Sequence, residues 1–328
     1  RDEVADEPAS SLLPEPDQVY VAAAATTTED LAALAPQVPH TVRHQIEHAD
    51  PTLDDDLRTW SDPNCDLPKL HLLGPLALRV APTGKPSVAA GRKPYLCELV
   101  AYLATRPHGA TTDEIAEAMR IPTDRVRKDI LAIRNWLGPN PRTGRPHIPD
   151  SRHTDAARVR GTPAYQVENL LIDADLFRRL RIRGEARGAD GLADLQQALS
   201  LVTGTPFTQL RKDGGAWVFE GDRLDQILLC AIVDVAHLVC TASLQQGDLA
   251  TAQGACELAV RVAPHEDTPK LDLAAALDAR GHHQAAEGLL RDEVCDRSDD
   301  EDNIPNELPA RTECILDNRR WLTRKASA

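Results

Sequence analysis

The chain is poor in aromatic residues and lacks any cysteine pair of the CxxC type. Of its 328 residues, 42% are apolar but only 3% are aromatic, which favours alanine- and leucine-rich helices over a large β-sandwich. The seven cysteines are scattered and odd in number, which indicates a reducing cytoplasm rather than a disulfide framework or a zinc site. Cys230, Cys240 and Cys256 fall at helical positions typical of a core, where a thiol packs as a small apolar group.

Long apolar runs and catalytic motifs are missing as well. Because no uninterrupted run of 18 apolar residues occurs, we expect no direct membrane insertion. No Walker loop, GxGxxG, HExxH or GxSxG motif is present, so we predict that the protein is not an enzyme and uses no cofactor or metal. The chain begins at Arg1 without an initiator methionine or a signal-peptide pattern, and we interpret it as a cytoplasmic fragment of a longer protein.

Charge is distributed unevenly along the chain. Residues 1–66 carry 3 basic and 15 acidic side chains, residues 67–183 carry 20 and 11, and residues 184–328 carry 14 and 25. The net charge of −14 therefore hides a basic middle between two acidic arms. This pattern is typical of a nucleic-acid site, or of a basic site that its own acidic flanks cover.

A 34-residue echo near the end of the chain predicts helical repeats. Gly247-Asp248-Leu249 recurs as Gly281-His282-His283, and small residues follow the first turn at the spacing of a tetratricopeptide repeat. Such helix pairs cannot bury their apolar faces alone, so they stack and present a surface to partners. An ordinary antiparallel helix bundle is the alternative.

The basic middle predicts a hairpin followed by helices. The alternating runs LHLLG and LALRV meet at Gly74-Pro75, which favours a β-hairpin. The next segment, YLCELVAYLAT, has helical spacing. Thr111 and Glu114 then form a capping box for a helix that ends near Arg120.

A longer helix follows, with Thr123 as its predicted cap and Leu137 at its end. Its apolar residues, Val126, Ile130, Ile133 and Leu137, share one face. The segment ARVRG-TPAYQV then predicts two short strands, a terminal hairpin or wing. The order is that of a winged helix-turn-helix.

The outer face of that longer helix is the candidate DNA-contacting surface. Helical periodicity places Arg127 and Arg134 one above the other, away from the apolar face, in the position of a helix that enters a major groove. Asp124 and Asp129 at the edges of this face favour the alternative, a merely solvated surface. Base or phosphate contacts are predicted for the helix, and phosphate contacts for the wing. The candidate residues are Arg125, Arg127, Lys128, Arg134, Arg158 and Arg160.

Several segments together resemble the actinobacterial antibiotic-regulatory-protein type of activator. They are LHLLGPLALRV, YLCELVAYLAT, TTDEIAEAMRIPTDRVRKDILAIRNWLG, AYQV, DADLFRRL and DLQQALSLVTGTPF, followed by Trp217 and a long helix from about Asp222 to Gln246. In that family an OmpR-like winged helix precedes a bacterial transcriptional activator domain of tetratricopeptide-like helices. A related domain pair also occurs at the cytoplasmic end of larger actinobacterial membrane proteins that carry a LysM module.

The resemblance implies a fold that is mainly α with small β-hairpins. The expected domains are an acidic, partly disordered segment with a short strand and helices (1–66), a winged helix-turn-helix (67–170), a helical activator domain (171–298), and an acidic linker with a C-terminal helix (299–328). The implied function is transcription regulation, with double-stranded DNA as one partner. RNA polymerase or another protein would bind the helical domain, and a homodimer is a further expectation. The alternative is a cytoplasmic interaction module of a membrane protein, whose winged helix docks protein.

Two acidic or histidine-rich features invite a metal-binding interpretation. His40, His44 and His48 recur every four residues and could line one helical face, but no firm further ligand converges on them, so an exposed polar face is favoured. Residues 50–68 are acidic and contain several prolines, which indicates a domain boundary. We therefore expect Asp54-Asp55-Asp56 to lie in a solvated loop rather than to bind a metal ion.

Overall fold

The computed structural model describes residues 49–80, 90–212, 214–220 and 222–295, together with Thr312 and Ile315. The predicted linker and strand of residues 1–25, the histidines at 40, 44 and 48, and the charged tail at 299–309 lie outside the described residues, as does nearly all of the helix predicted over 42–49. The described chain forms two compact units. Residues 52–178 and 206–227 belong to the first unit, and residues 179–205 and 228–295 belong to the second.

The described part of the chain is mainly helical, with a small three-stranded sheet, as the sequence predicts. The helices are α1 (Leu53–Ser61), α2 (Lys93–Ala104), α3 (Thr112–Met119), α4 (Thr123–Leu137), α5 (Asp155–Arg160), α6 (Asp173–Arg187), α7 (Leu192–Ser200), α8 (Ala216–Phe219), α9 (Leu224–Gln246), α10 (Leu249–Val262), α11 (Asp267–Ala279) and α12 (His283–Leu290). The strands are β1 (Lys69–His71), β2 (Ala77–Arg79) and β3 (Leu171–Ile172).

The predicted hairpin around Gly74-Pro75 is confirmed. β1 pairs antiparallel with β2, with Leu70 opposite Leu78. β3 adds to the other edge of β1 in parallel orientation, with Ile172 opposite Leu70. Since β3 spans two residues, it has too few positions to show an alternating pattern, and the sequence does not predict it.

The loop predicted at Asp54-Asp55-Asp56 is wrong, because these residues form the first turn of α1. Carboxylates stabilise that position through the positive end of the helix dipole. Asp56 is also buried and accepts a hydrogen bond from Arg142 at 2.9 Å. The partner lies 86 residues away in sequence, which local patterns cannot show.

The predicted helix pairs are confirmed in the second unit, which is tetratricopeptide-like. Gly247 and Gly281 both have positive φ, 76° and 85°, where a side chain would be strained. They join α9 to α10 and α11 to α12. A buried cluster of small residues lets these helices pack: Cys240, Ala252, Cys256 and Ala276.

The prediction that Cys230 lies in the core is wrong. Cys240 and Cys256 are buried as expected, but Cys230 is exposed. It lies on α9, whose hydrophobicity nearly all round obscures which face is buried.

One of the described helices, α9, is long and apolar enough to cross a membrane by length and composition. Two thirds (67%) of its most apolar window is buried, as in a core helix. His237 on this helix is buried and lies 2.8 Å from a carboxylate oxygen of Asp272 on α11. These contacts favour a packed core position for α9.

Candidate nucleic-acid interface

Helices α3 and α4 form the helix-turn-helix that the sequence predicts. The capping box is confirmed: the Thr111 hydroxyl accepts a hydrogen bond from the N–H of Glu114 at 3.3 Å, and the Glu114 carboxylate accepts one from the N–H of Thr111 at 2.8 Å. Arg120 ends α3 in the left-handed region at φ 55°. Pro122 follows two residues later and directly precedes α4, so the chain turns within three residues.

The start of α4 differs in one detail from the prediction. Thr123 is the first helical residue rather than the cap, and the preceding Pro122 offers no side-chain hydrogen bond. A proline has no N–H to satisfy, and its fixed φ suits the approach to a helix. The turn is therefore set by backbone geometry at Arg120 and Pro122.

The inner face of α4 is buried as the periodicity predicts. Val126, Ile130, Ile133 and Leu137 are each at most 3% exposed. Packing this face leaves the opposite side of the helix in solvent. Asp124, Arg127, Lys128, Leu131 and Asn135 are the exposed residues of that side, which we call the outer face of α4.

Arg127 and Lys128 are the two cations available on the outer face. Both are exposed, and neither makes an ion pair within the part of the chain that the structure describes. They follow each other in sequence near the N-terminal half of α4. Their charges are therefore open to an anionic partner.

Arg125 lies beside the outer face and is engaged by a buried carboxylate. Asp129, 1% exposed, accepts hydrogen bonds from Arg125 at 3.2 Å, from Arg92 at 2.5 Å and from the Tyr95 hydroxyl at 2.7 Å. Burial raises the pKa of Tyr95, and its hydrogen bond to Asp129 adds to this rise, so the phenol stays neutral and donates. The prediction that Asp129 lies at a solvated edge is wrong, because its carboxylate is buried. Donors from α4, from α2 and from the turn that precedes α2 compensate its charge.

Arg134 turns away from the position that periodicity suggests. Its guanidinium donates hydrogen bonds to the carbonyls of Ile148 at 2.6 Å and Pro149 at 2.5 Å. The long loop after α4 therefore folds back on the C-terminal half of the helix. Arg134 fastens this loop to α4.

The predicted wing hairpin is wrong, since residues 155–160 form helix α5. The buried Thr154 hydroxyl accepts a hydrogen bond from the N–H of Ala157 and starts the helix. Gly161 ends it with φ 68°. In the segment that follows, β-type backbone pairing occurs at Tyr165, which makes an antiparallel bridge with Ala110.

The two arginines predicted for the wing lie on α5 instead. Arg158 is exposed and pairs with Asp155 one helical turn before it. Arg160 donates to the carbonyl of Gly109 at 3.0 Å and also pairs with Glu114 of the capping box. Arg160 thereby ties α5 to the start of α3.

Sequence reasoning missed residues that hold this interface from a distance. Arg211 donates to the buried Glu98 on α2 at 2.7 Å and to the carbonyl of Met119 at 3.3 Å. Its guanidinium also lies over the ring of Tyr95, 5.3 Å from the centroid. Arg211 and Glu98 are 113 positions apart, so only an alignment of many sequences could have signalled the pair.

The part of the chain that the structure describes holds no group of three or more His, Cys, Asp or Glu residues arranged to bind a metal ion. The three histidines at 40, 44 and 48 are outside this part. The geometry that stands out is instead a cationic helix face.

Comparison with known proteins gives a structural likeness but no match to a protein family or to a curated sequence. Among solved structures, it is similar to EmbR of Mycobacterium tuberculosis in complex with a low-affinity phosphopeptide. The sequences are 21% identical, the similarity covers 79% of this chain and 69% of the EmbR chain, and the TM-score is 0.49.

Proposed function

We propose that the protein is a transcription regulator that binds double-stranded DNA through the outer face of α4. The observation that carries this proposal is the pair of exposed cations, Arg127 and Lys128, on a helix whose other face is buried against its helix-turn-helix partner. An α-helix of this kind fits the major groove, where phosphates attract its cations and base edges carry the sequence code.

The six predicted DNA-binding residues divide into two groups by their contacts. Arg127 and Lys128 would meet base edges or phosphates, and Arg158 on α5 would hold a phosphate beyond them. We propose that the remaining three act behind the interface, because their guanidinium groups bond to a buried carboxylate or to backbone carbonyls, whereas Arg158 is exposed and its partner Asp155 is exposed as well. These three are Arg125, Arg134 and Arg160.

The helical second unit supports a second part of the proposal. Stacked helix pairs of the tetratricopeptide type present a surface to other proteins. We propose that this unit contacts RNA polymerase or another protein, or a second copy of the chain. A role on the chromosome would place the protein in the cytoplasm.

A charge-matched pair of variants tests DNA binding. Arg127→Ala with Lys128→Ala should weaken binding of a fluorescent duplex at least tenfold, because two phosphate or base contacts are lost. Arg261→Ala with Arg280→Ala removes the same charge from exposed positions of the second unit and should leave the affinity near that of the wild type. Equal losses in the two double variants would show that only net charge matters and would reject the assignment to α4.

A protein-docking module is the second candidate function. The observation that favours it is the acidity of residues 1–66 and 184–328, which flank the basic middle and would oppose DNA. Removal of residues 1–48, which precede the first residue that the structure describes, distinguishes an acidic cover over a DNA-binding surface from a module that docks protein. A truncated chain that gains DNA binding would identify the acidic arm as a cover, whereas a chain that binds no DNA with or without the arm supports docking of a protein.

A further inference from the structure

The outer face of α4 carries one apolar residue among its polar ones. Leu131 is 56% exposed, although its neighbours Ile130 and Ile133 are almost completely buried. It follows Arg127 by four positions and precedes Asn135 by four. Side chains at this spacing are neighbours on a helix surface, with roughly 5–6 Å between their Cβ atoms. Leu131 therefore lies in the middle of the surface that would face DNA.

We propose that Leu131 is a specificity-determining residue that reads the C5-methyl group of a thymine in the major groove. This inference rests on the proposed function. Most groups that base pairs present in the major groove are hydrogen-bond donors and acceptors, and the thymine methyl is the apolar exception. Leu131 has no polar atom in its side chain, so the methyl group is the feature of a base edge that it can recognise.

The neighbours of Leu131 set where that thymine lies. Arg127 and Lys128, one turn earlier, hold the helix against the same stretch of groove by charge. Successive base pairs are about 3.4 Å apart along the axis of the DNA, and one turn of α4 is about 5.4 Å long. One turn of α4 therefore covers about one or two base-pair steps. The selected thymine is therefore within about two base pairs of the position that Arg127 contacts.

An apolar docking contact with another protein is the competing explanation. The other large apolar side chains exposed in the described chain, Val159, Ile182 and Phe219, all lie outside α4. Leu131 is thus flanked by two cations and an amide rather than by an apolar cluster. A protein-binding helix in a groove would use apolar anchors at several successive turns. The polar surroundings favour a base edge.

Replacement of thymine by deoxyuridine, which lacks the methyl group, tests the inference with the full chain. Duplexes selected from a randomised library are resynthesised with each thymine changed in turn, and binding is followed by anisotropy. We expect one position at which deoxyuridine weakens wild-type binding by roughly fourfold, the contribution of one buried methyl group. Leu131→Ala should bind both duplexes equally, and Leu131→Met should keep the preference.

Val159→Ala is the matched control, because Val159 is 79% exposed but lies on α5. It should keep the wild-type preference for thymine. Equal wild-type affinity for all deoxyuridine duplexes, selection without any preferred sequence, or a preference that survives in Leu131→Ala would overturn the inference while DNA binding stands. Failure of the wild type to bind any duplex at low salt would instead reject the proposed function itself and return Leu131 to the docking explanation.

Discussion

Glu98 is a fully buried carboxylate in the first unit. It accepts hydrogen bonds from Arg211 at 2.7 Å, from the N–H of Gly215 at 2.7 Å and from the indole N–H of Trp217 at 3.2 Å. A buried charge is tolerated only when it is paired and hydrogen-bonded, and here all three donors come from the segment that returns to this unit after residue 205. Glu98 thus joins α2 to that segment.

Breaking the Glu98–Arg211 pair should destabilise the protein strongly. Arg211→Met leaves the carboxylate buried without its cation and should cost roughly 3 kcal/mol of unfolding free energy. Adding Glu98→Gln removes the unpaired charge, so the double variant should be less destabilised than the sum of the single variants. Urea denaturation of the four proteins measures this coupling, and strictly additive losses would contradict the pairing.

We expect the stability of the fold to depend on pH through Asp173. Burial raises the pKa of its carboxyl to about 7, although the N–H groups of Leu72 and Leu73 donate hydrogen bonds that oppose this rise. Because the unfolded pKa is about 3.9, the folded state binds the extra proton between these values. The stability that this proton contributes is fully present below about pH 4 and is lost as the pH rises through 7.

The difference between the wild type and Asp173→Asn isolates this effect from other titrating groups. Between pH 5 and pH 8, urea midpoints of the wild type should fall more than those of the variant, which has no proton to lose. Parallel pH profiles would show that the hydrogen bonds from Leu72 and Leu73 hold the carboxylate charged throughout. The comparison uses the same denaturant and salt at each pH.

At the scale of elements, one close contact in the second unit depends on the absence of side chains. A Cβ atom at Gly191 would lie 1.9 Å from the carbonyl oxygen of Gly184 on α6, a distance that no structure tolerates. Gly254, inside α10, has open space around the same position. The two glycines therefore respond oppositely to the same substitution.

Gly191→Ala should lower the unfolding free energy by more than 1 kcal/mol, because the backbone must move apart. Gly254→Ala should raise it by about 0.5–1 kcal/mol, the usual gain of alanine over glycine inside a helix. Thermal melts of both variants and the wild type provide the measurement. A destabilised Gly254→Ala together with an unaffected Gly191→Ala would contradict the packing.

Elements that depend on nearby residues could be predicted from the sequence, and those that depend on distant ones could not. The capping box of Thr111 and Glu114 and the buried face of α4 follow from spacings of three and four residues. The wing prediction failed because the cap of Thr154 and its bond to the carbonyl of Ala164 favour a helical turn where the alternation suggested a strand. Arg134 is outward by periodicity, but the loop at Ile148 reaches back to it.

At the scale of the whole molecule, the order of the domains was easier to predict than the residues that belong to each domain. The sequence indicates a helix-turn-helix before helical repeats, and both are present. Residues 206–227, which the resemblance groups with the helical domain, belong instead to the first compact unit. Contacts such as that of Arg211 with Glu98 determine this, and they have no local signature. The location of the candidate interface, in contrast, could be predicted from the charge distribution of the sequence, because the interface lies in the basic middle segment.

The measurement that tests DNA binding through α4 most directly is the salt dependence of affinity for a duplex. Fluorescence anisotropy of the full chain, between about 50 and 200 mM salt, should show affinity falling steeply as counterions are released. Arg127→Ala with Lys128→Ala should flatten the slope of log affinity against log salt by about one to two units. Absence of wild-type binding at the lowest salt, or identical slopes for the two proteins, would contradict DNA binding through this helix.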